Sequence, residues 1–520
     1  MRAIVTASDT TNYTQNSFDV VWYGRYENGK RMVHQFTAPF KPYYYLESAV
    51  GTYKSIDDKK LAKVEKNFPN EVKAERESLK RNGIQTYEAD IPYTERVLYD
   101  LGIKKAVDLD TMQPCPDTGI NMRVGVFDIE TDDRYGFARP QDAKQEVLAI
   151  GYKDSYTGNT LLFTTIPPEK IIASELIKAV NSYKVRFLSL KTEKHMLGAF
   201  FGLLESEHAP DLLEGWNSDR YDIPYLTNRA KLLGIQAPFK QVGTLDLMAG
   251  YKRKHENKTI SASLDYVSEQ LLGEHKVEHE MGFYEMYSKH PLLFLKYLYR
   301  DVDLTYKIDQ QQKITKFFYG LSRKAGTLEI GKWNADYIID SRIFHAVRGK
   351  LVAKTKTKTQ KDKTDGSHVF PAQRGLLERP IVVLDFKTEY PAIISSLNLS
   401  WDTVKRPEEP DDPTDIRVNG HRFATKFRGI LPQIIDELIA DRDAIKAQMK
   451  KAAKEEYEVL DDDQRVTKEL TNAFYGDLGN EYSRWYDYRI QPTITFVGRE
   501  HVLFVADKIR NLVPEVLPIA

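Results

Sequence analysis

Ile381-Val382-Val383-Leu384-Asp385-Phe386-Lys387-Thr388-Glu389-Tyr390-Pro391-Ala392-Ile393-Ile394 is the stretch on which the chain's architecture turns. Four apolar residues, mostly β-branched and with no polar face, predict a strand covered on both sides, with Asp385 at its end. Proline is tolerated in a helix's first turn because the N–H groups there lack intrahelical partners, so Pro391 predicts a helix over Ala392 to Leu397. A single carboxylate where a buried strand meets a helix start is a candidate metal ligand; a turn or cap role is the alternative for such a residue taken alone.

Working outward, the 520 residues predict three or four domains. The 75 Lys and Arg balance 75 Asp and Glu, so any affinity for nucleic acid must come from local patches. A single cysteine, Cys115, excludes an intrachain disulfide and predicts a reducing, cytoplasmic setting. No apolar run approaches a membrane span, and the start Met1-Arg2-Ala3-Ile4-Val5-Thr6 has no signal-peptide core.

The first 106 residues alternate in the β manner. A hairpin is predicted from Val20–Tyr26 and Met32–Phe36 around Asn28-Gly29, followed by an aromatic strand at Phe40 to Leu46. Residues 107–310 alternate strands (Val124–Phe127, Val147–Tyr152, Leu161–Phe163) with helices (Glu193–Glu205, Asp222–Leu233, Leu292–Phe318). In that block Asp128 and Glu130 lie two apart in a strand and share a face, Asp222 stands at the mouth of a helix, and Tyr297 and Asp301 lie four apart on another helix. Converging like charges are costly without a cation between them. Tyr299 and Asp303 form a competing pair, but Tyr297 and Asp301 share the apolar stripe of Phe294, Thr305 and Ile308. Further on, Leu431 to about Lys454 reads as a helix with Arg442, Lys446 and Lys450 along one side, Asp461-Asp462-Asp463 as a turn, and a second helix as carrying Lys468, Asn472 and Tyr475 on one face.

The opening stretch resembles the palm signature of family B (α-like) DNA polymerases, D-F-x-S-L-Y-P-S-I-I: Asp385, Phe386, Tyr390, Pro391, Ile393 and Ile394 match, while Thr388, Glu389 and Ala392 depart from it. That resemblance implies that Asp385 and the Phe386 carbonyl hold catalytic metal and that the Tyr390 ring excludes a 2′-hydroxyl. The order of Asp128, Glu130, Asp222, Tyr297 and Asp301 resembles the three motifs of DnaQ-like 3′-5′ exonucleases, and Lys468 to Gly476 resembles the family's K-x-x-x-N-S-x-Y-G. The implied fold is multidomain α/β and α+β: an N-terminal β-rich domain (1–106, with a return segment 311–375), an RNase H-like exonuclease domain (107–310), a partial palm (376–430 and 477–520, thumb absent) and fingers of two antiparallel helices (431–476). The implied exonuclease metal ligands are Asp128, Glu130, Asp222 and Asp301, with Tyr297 positioning the attacking water. Arg442, Lys446 and Lys468 would face the substrate triphosphate, Asn472 would bind substrate on the same face as Lys468, and Tyr475 would contact the nascent base pair. Hard divalent ions take oxygen ligands, which fits two Mg2+ or Mn2+ ions per active site.

By the same resemblance the partners are primer–template DNA, single-stranded 3′ ends and dNTPs, with a sliding clamp a further candidate. The Tyr-Gly-Asp-Thr-Asp hairpin of the family's palm does not occur in this sequence. The reading is therefore a split polymerase nearest to T-even-type phage replicative enzymes, in a phage-infected host, with a C-terminal polypeptide supplying the remaining acid and the thumb. A stand-alone 3′-5′ exonuclease on a polymerase-like scaffold and a non-enzymatic DNA-binding assembly factor are the competing readings. Lys354 to Lys363 reads as a solvated basic loop, with loose phosphate contact as its alternative role.

Overall fold

The computed structural model describes residues 1–513 apart from 16, 117–118, 256–258, 332–334, 359–365, 367, 372–374 and 376–380. Part of the basic run and everything after Val513 therefore lie outside the described residues. The chain forms two compact units, Met1–Pro39 with Leu101–Trp333 and Phe40–Asp100 with Asn334–Ala520. The expected N-terminal block thus contributes to both.

In the first unit a six-stranded sheet runs in the order Val185–Ser189, Thr160–Thr164, Val147–Asp154, Val124–Thr131, Leu212–Gly215, Gly243–Asp246. Val124–Thr131 is antiparallel to Val147–Asp154 and parallel to Leu212–Gly215. Period-two alternation sends Phe127 and Ile129 into one core layer, with Met196 and Phe200 of helix Glu193–Glu205 and Tyr225 of helix Asp222–Leu232. Helix Pro291–Gln312 packs Phe294, Leu295 and Leu298 on Leu148, Ala149 and Leu162 of the sheet. Its approach is close: a Cβ at Gly151 would sit 2.8 Å from Val302 Cγ2. The predicted long helix is two, because Lys313 takes a left-handed conformation (φ 51°) and a second helix starts at Ile314.

A second, five-stranded sheet of this unit holds the predicted hairpin, Asp19–Tyr26 with Arg31–Phe36, beside Arg2–Thr11. Arg25 is fully buried and donates from Nε to Asp211 Oδ2 at 2.6 Å, while Asp211 also accepts the Arg123 amide at 2.7 Å. Desolvating such a pair is costly, and removing one member leaves the other uncompensated.

In the second unit the aromatic strand Tyr43–Glu47 lies in a four-stranded sheet between Lys60–Glu65 and Thr86–Tyr87. The returning segment meets it by bridges Ser55 to Val352 and Tyr87 to Lys354. Far along the chain, Arg484 donates from both terminal nitrogens to Asp90 at 2.9 Å and from Nε to Asp340. Helices Ile430–Met449 and Lys454–Leu478, joined by a short connection, pack on each other. Helix Ile490–Leu512 follows it.

Four sequence expectations fail here. Ile381 to Leu384 form no strand and are 61–84% exposed, because no other described segment pairs with them. Their apolar run specified burial without specifying a partner. The next helix starts at Glu389, before the expected Ala392, with Pro391 still in its first turn. Asp461 to Asp463 do not form the turn either; they lie within helix Lys454–Leu478. The described lysines of the basic loop are also not simply solvated: Lys354, Lys356 and Lys358 pair with Asp57, Asp340 and Glu481.

Replacing Asp211 by Ala should strand the buried Arg25 guanidinium and cost about 3–5 kcal/mol in chemical denaturation of the first unit. A loss below about 1 kcal/mol would show that Arg25 finds water or another acceptor.

Candidate active sites: an acid cluster and a cation cluster

Asp128 and Glu130 leave the same face of Val124–Thr131, opposite to Phe127 and Ile129, and meet Asp301 from helix Pro291–Gln312. Ligand oxygens of these three residues lie within 4.8 Å of one another. Among the described residues this is the one group of three or more metal-ligating side chains so close. Asp222 stands beside it, accepting the Ile129 amide at 3.3 Å through Oδ1. Burial pushes Asp128 well above the carboxylate range, with Asp222 and Asp301 adding repulsion. Glu130 rises for the same reasons, burial first and then Asp128 and Asp301. Asp222 is pushed up to about 7, chiefly by burial.

One side chain answers this charge, and sequence reasoning missed it. Lys276 Nζ lies 2.6 Å from Asp301 Oδ2 and 4.8 Å from the centre of the Tyr297 ring. Burial opposes its charge, but Asp301 and Tyr297 outweigh that and hold the ammonium protonated. The loop carrying it is tied on two sides. The Lys276 amide donates to Asp265 Oδ1 at 2.8 Å, and the preceding Glu274 pairs with Arg300 at 2.6 Å and with Lys307 at 2.9 Å. Tyr297 itself is buried against His279 and Phe283, which pushes its hydroxyl above the ordinary phenol value. The competing residue Asp303 is taken by Lys153 and Lys307.

The cluster fits divalent cation. Three carboxylates converge, Glu130 and Asp301 buried and Asp128 half-buried, and Asp301 Oδ1 is buried with no hydrogen-bond partner.

In the second unit Asp385 is exposed, and no two other acids or histidines join it in a comparably tight group among the described residues. Its nearby acid is Glu389, whose carboxyl is raised by burial, with Asp385 contributing. His501 Nδ1 is 3.8 Å from that carboxylate, and its ring is 5.9 Å from Phe386. Tyr390 stacks on Tyr475 at 4.1 Å and 28°, and the Tyr475 hydroxyl meets Thr495 Oγ1 at 3.1 Å and Gln491 Nε2 at 3.2 Å. The helix behind them comes close, since a Cβ at Gly498 would lie 3.0 Å from the Tyr390 ring.

Arg442 and Lys446 lie one turn apart on Ile430–Met449, and Arg442 Nε donates to Gln464 Oε1 at 3.3 Å. Lys468 and Asn472 are exposed one turn apart on Lys454–Leu478, with Tyr475 a further turn on. Lys446 loses proton affinity mainly to Arg442, with Lys387 and Lys468 adding to the effect. Cations from three elements therefore crowd one another.

Two family models match the chain. DNA polymerase family B matches residues 334–517, and the exonuclease domain of DNA polymerase family B matches residues 107–268. A DNA polymerase of Pyrococcus glycovorans is 25% identical over 97% of this chain and 68% of its own length. One of Thermococcus sp. strain 9oN-7 is 26% identical over 96% and 67%. The solved family B DNA polymerase of the archaeon Pyrobaculum calidifontis superposes with a TM-score of 0.73 at 23% identity, covering 99% of this chain and 73% of that one. These relatives are archaeal and are single chains longer than this one. They lend no support to the expected T-even phage likeness, to a phage-infected host or to a separate C-terminal polypeptide. No helix of the described residues is long and apolar enough to cross a membrane.

The raised acids carry a pH signature. Asp222 binds a proton in the metal-free folded protein up to about pH 7, whereas an unfolded aspartate releases it near 4. Its contribution to stability is therefore complete below about 4 and is lost as pH rises through about 7. In metal-free buffer the wild type should lose up to about 1.4 kcal/mol per pH unit more than Asp222→Asn across that interval, by denaturant titration. Saturating Mn2+ should abolish the difference.

Proposed function

We propose, from the premise that the chain belongs to DNA polymerase family B and carries that family's exonuclease domain, that it trims DNA 3′ ends at the acid cluster and binds nucleotide at the cation cluster. The convergence of Asp128, Glu130 and Asp301 within 4.8 Å is the observation that carries the exonuclease half.

Two divalent ions, Mg2+ or Mn2+, would be held by Asp128, Glu130, Asp222 and Asp301, and when bound they supply a nucleophilic hydroxide and charge stabilisation for the departing 3′-oxygen. The remaining work belongs to the chain itself. Asp128 and Glu130 are fixed in direction by the strand. Tyr297, four residues before Asp301 on the same helix, would hold the attacking water through its hydroxyl. Lys276 keeps Asp301 oriented when cation is scarce, and it must give up part of that contact as ions load.

For synthesis, Asp385 and the Phe386 carbonyl would hold ions, Arg442, Lys446, Lys468 and Asn472 would meet the phosphates of a dNTP, and the stacked Tyr390 and Tyr475 would bound the sugar and base pair. Such a site needs a second carboxylate, and a separate polypeptide bearing it together with the thumb would complete the site. The exposed, thinly accompanied Asp385 favours one alternative, an exonuclease whose palm serves as scaffold.

The purified chain should degrade single-stranded DNA from the 3′ end with Mg2+, and Asp128→Ala should lower the rate by about 10²-fold or more. Unchanged degradation by that variant would remove the acid cluster from the mechanism. Primer extension by this chain alone at a rate comparable with degradation would overturn the need for a separate polypeptide, whereas extension only on adding a chain with an Asp-Thr-Asp hairpin would overturn the scaffold alternative.

A further inference from the structure

Lys387 lies two residues after Asp385, in the turn that precedes helix Glu389–Ser396. Its Nζ is 3.5 Å from Asp443 Oδ1, and the two side chains are 73% and 54% exposed. Asp443 follows Arg442 and precedes Lys446 by three positions, so it lies on the helix that carries both of these cations. The surrounding balance is uneven: Arg442, Lys387 and Lys468 all press on Lys446, with Asp443 opposing them. An exposed ion pair of this kind is held only weakly against solvent, so its lysine is easily recruited by a denser anion. Polyphosphate is such an anion, with oxygens enough for several ammonium and guanidinium groups at once.

We propose that Lys387 is a further ligand of the incoming nucleotide's phosphates, exchanging Asp443 for phosphate oxygen as the nucleotide binds. The proposal rests on the reading that Arg442, Lys446 and Lys468 form the nucleotide site. It adds something those three do not supply. They belong to the two long helices, whereas Lys387 belongs to the turn that carries Asp385. A phosphate held by Lys387 is therefore tied within two residues of the palm acid, and Asp443 acts as the anion that Lys387 leaves.

Isothermal titration of the full chain with inorganic tripolyphosphate, in EDTA so that no metal intervenes, tests it. Lys387→Met should weaken binding about three- to tenfold, and Lys387→Arg should restore most of it. Asp443→Asn should tighten binding about two- to threefold, and that gain should vanish in the Lys387→Met background. Lys387→Met binding like wild type while Lys446→Met fails to bind would overturn the proposal, leaving Lys387 in a surface ion pair and the nucleotide site intact. Tripolyphosphate binding by neither wild type nor any variant, or binding indifferent to Lys446 and Lys387 alike, would overturn the nucleotide-site reading and this proposal with it. Circular dichroism of each variant establishes that it is folded.

Discussion

Four carboxylates drawn out of water toward one another dominate the first unit. Asp128, Glu130, Asp222 and Asp301 are raised above their ordinary proton affinity, mainly because they are desolvated and, for Asp128 and Glu130, because they also repel one another. Hydrophobic packing must hold them there, and it does so through layers on both sides of one sheet. The helix bearing Asp301 can come near enough because Gly151 presents no side chain against Val302 and Leu298. A protein that spends packing energy to crowd like charges has built a receptor for cation, and Lys276 is the resident one.

Much of this was legible in the residues. Asp128 and Glu130 announce a shared face by strand periodicity, and Tyr297 and Asp301 by helix periodicity, because both patterns are local. The preference for Asp301 over Asp303 followed from the apolar stripe, and the salt bridges of Asp303 to Lys153 and Lys307 agree with it. Lys276 was illegible because it sits in a loop with no periodic signal, and its role depends on Asp265 and Glu274 holding that loop in place. Ile381 to Leu384 misled because an apolar run tells of a preference for burial but not of a neighbour that satisfies it. Asp461 to Asp463 misled differently. They stand in the third turn of the helix, where Asp461 pairs with Arg465 four residues on, so a helix accommodates the acids as readily as a turn does.

The formal neutrality of the chain hides two opposite fields. One unit concentrates buried carboxylates, answered by a lysine, and the other concentrates solvent-facing cations around Lys446. The first suits hard cations, and the second suits anions. Both fields repel themselves, so each unit is less stable with its site empty than a charge count would suggest.

Arg484 reaches Asp90 across 394 positions of chain, and the returning segment bridges Tyr87 through Lys354. The whole of residues 101–333 lies between the two parts that this guanidinium joins. On a ribosome adding roughly 5–20 residues per second, the early sheet around Tyr43–Glu47 emerges tens of seconds before its distant partners exist. The inserted unit can mature in that interval, while the segments flanking it stay exposed to chaperones and proteases. Order of completion thus departs from order of synthesis: Met1–Pro39 and Leu101–Trp333 can ripen together, while Phe40–Asp100, made between them, must wait for the chain beyond Asn334.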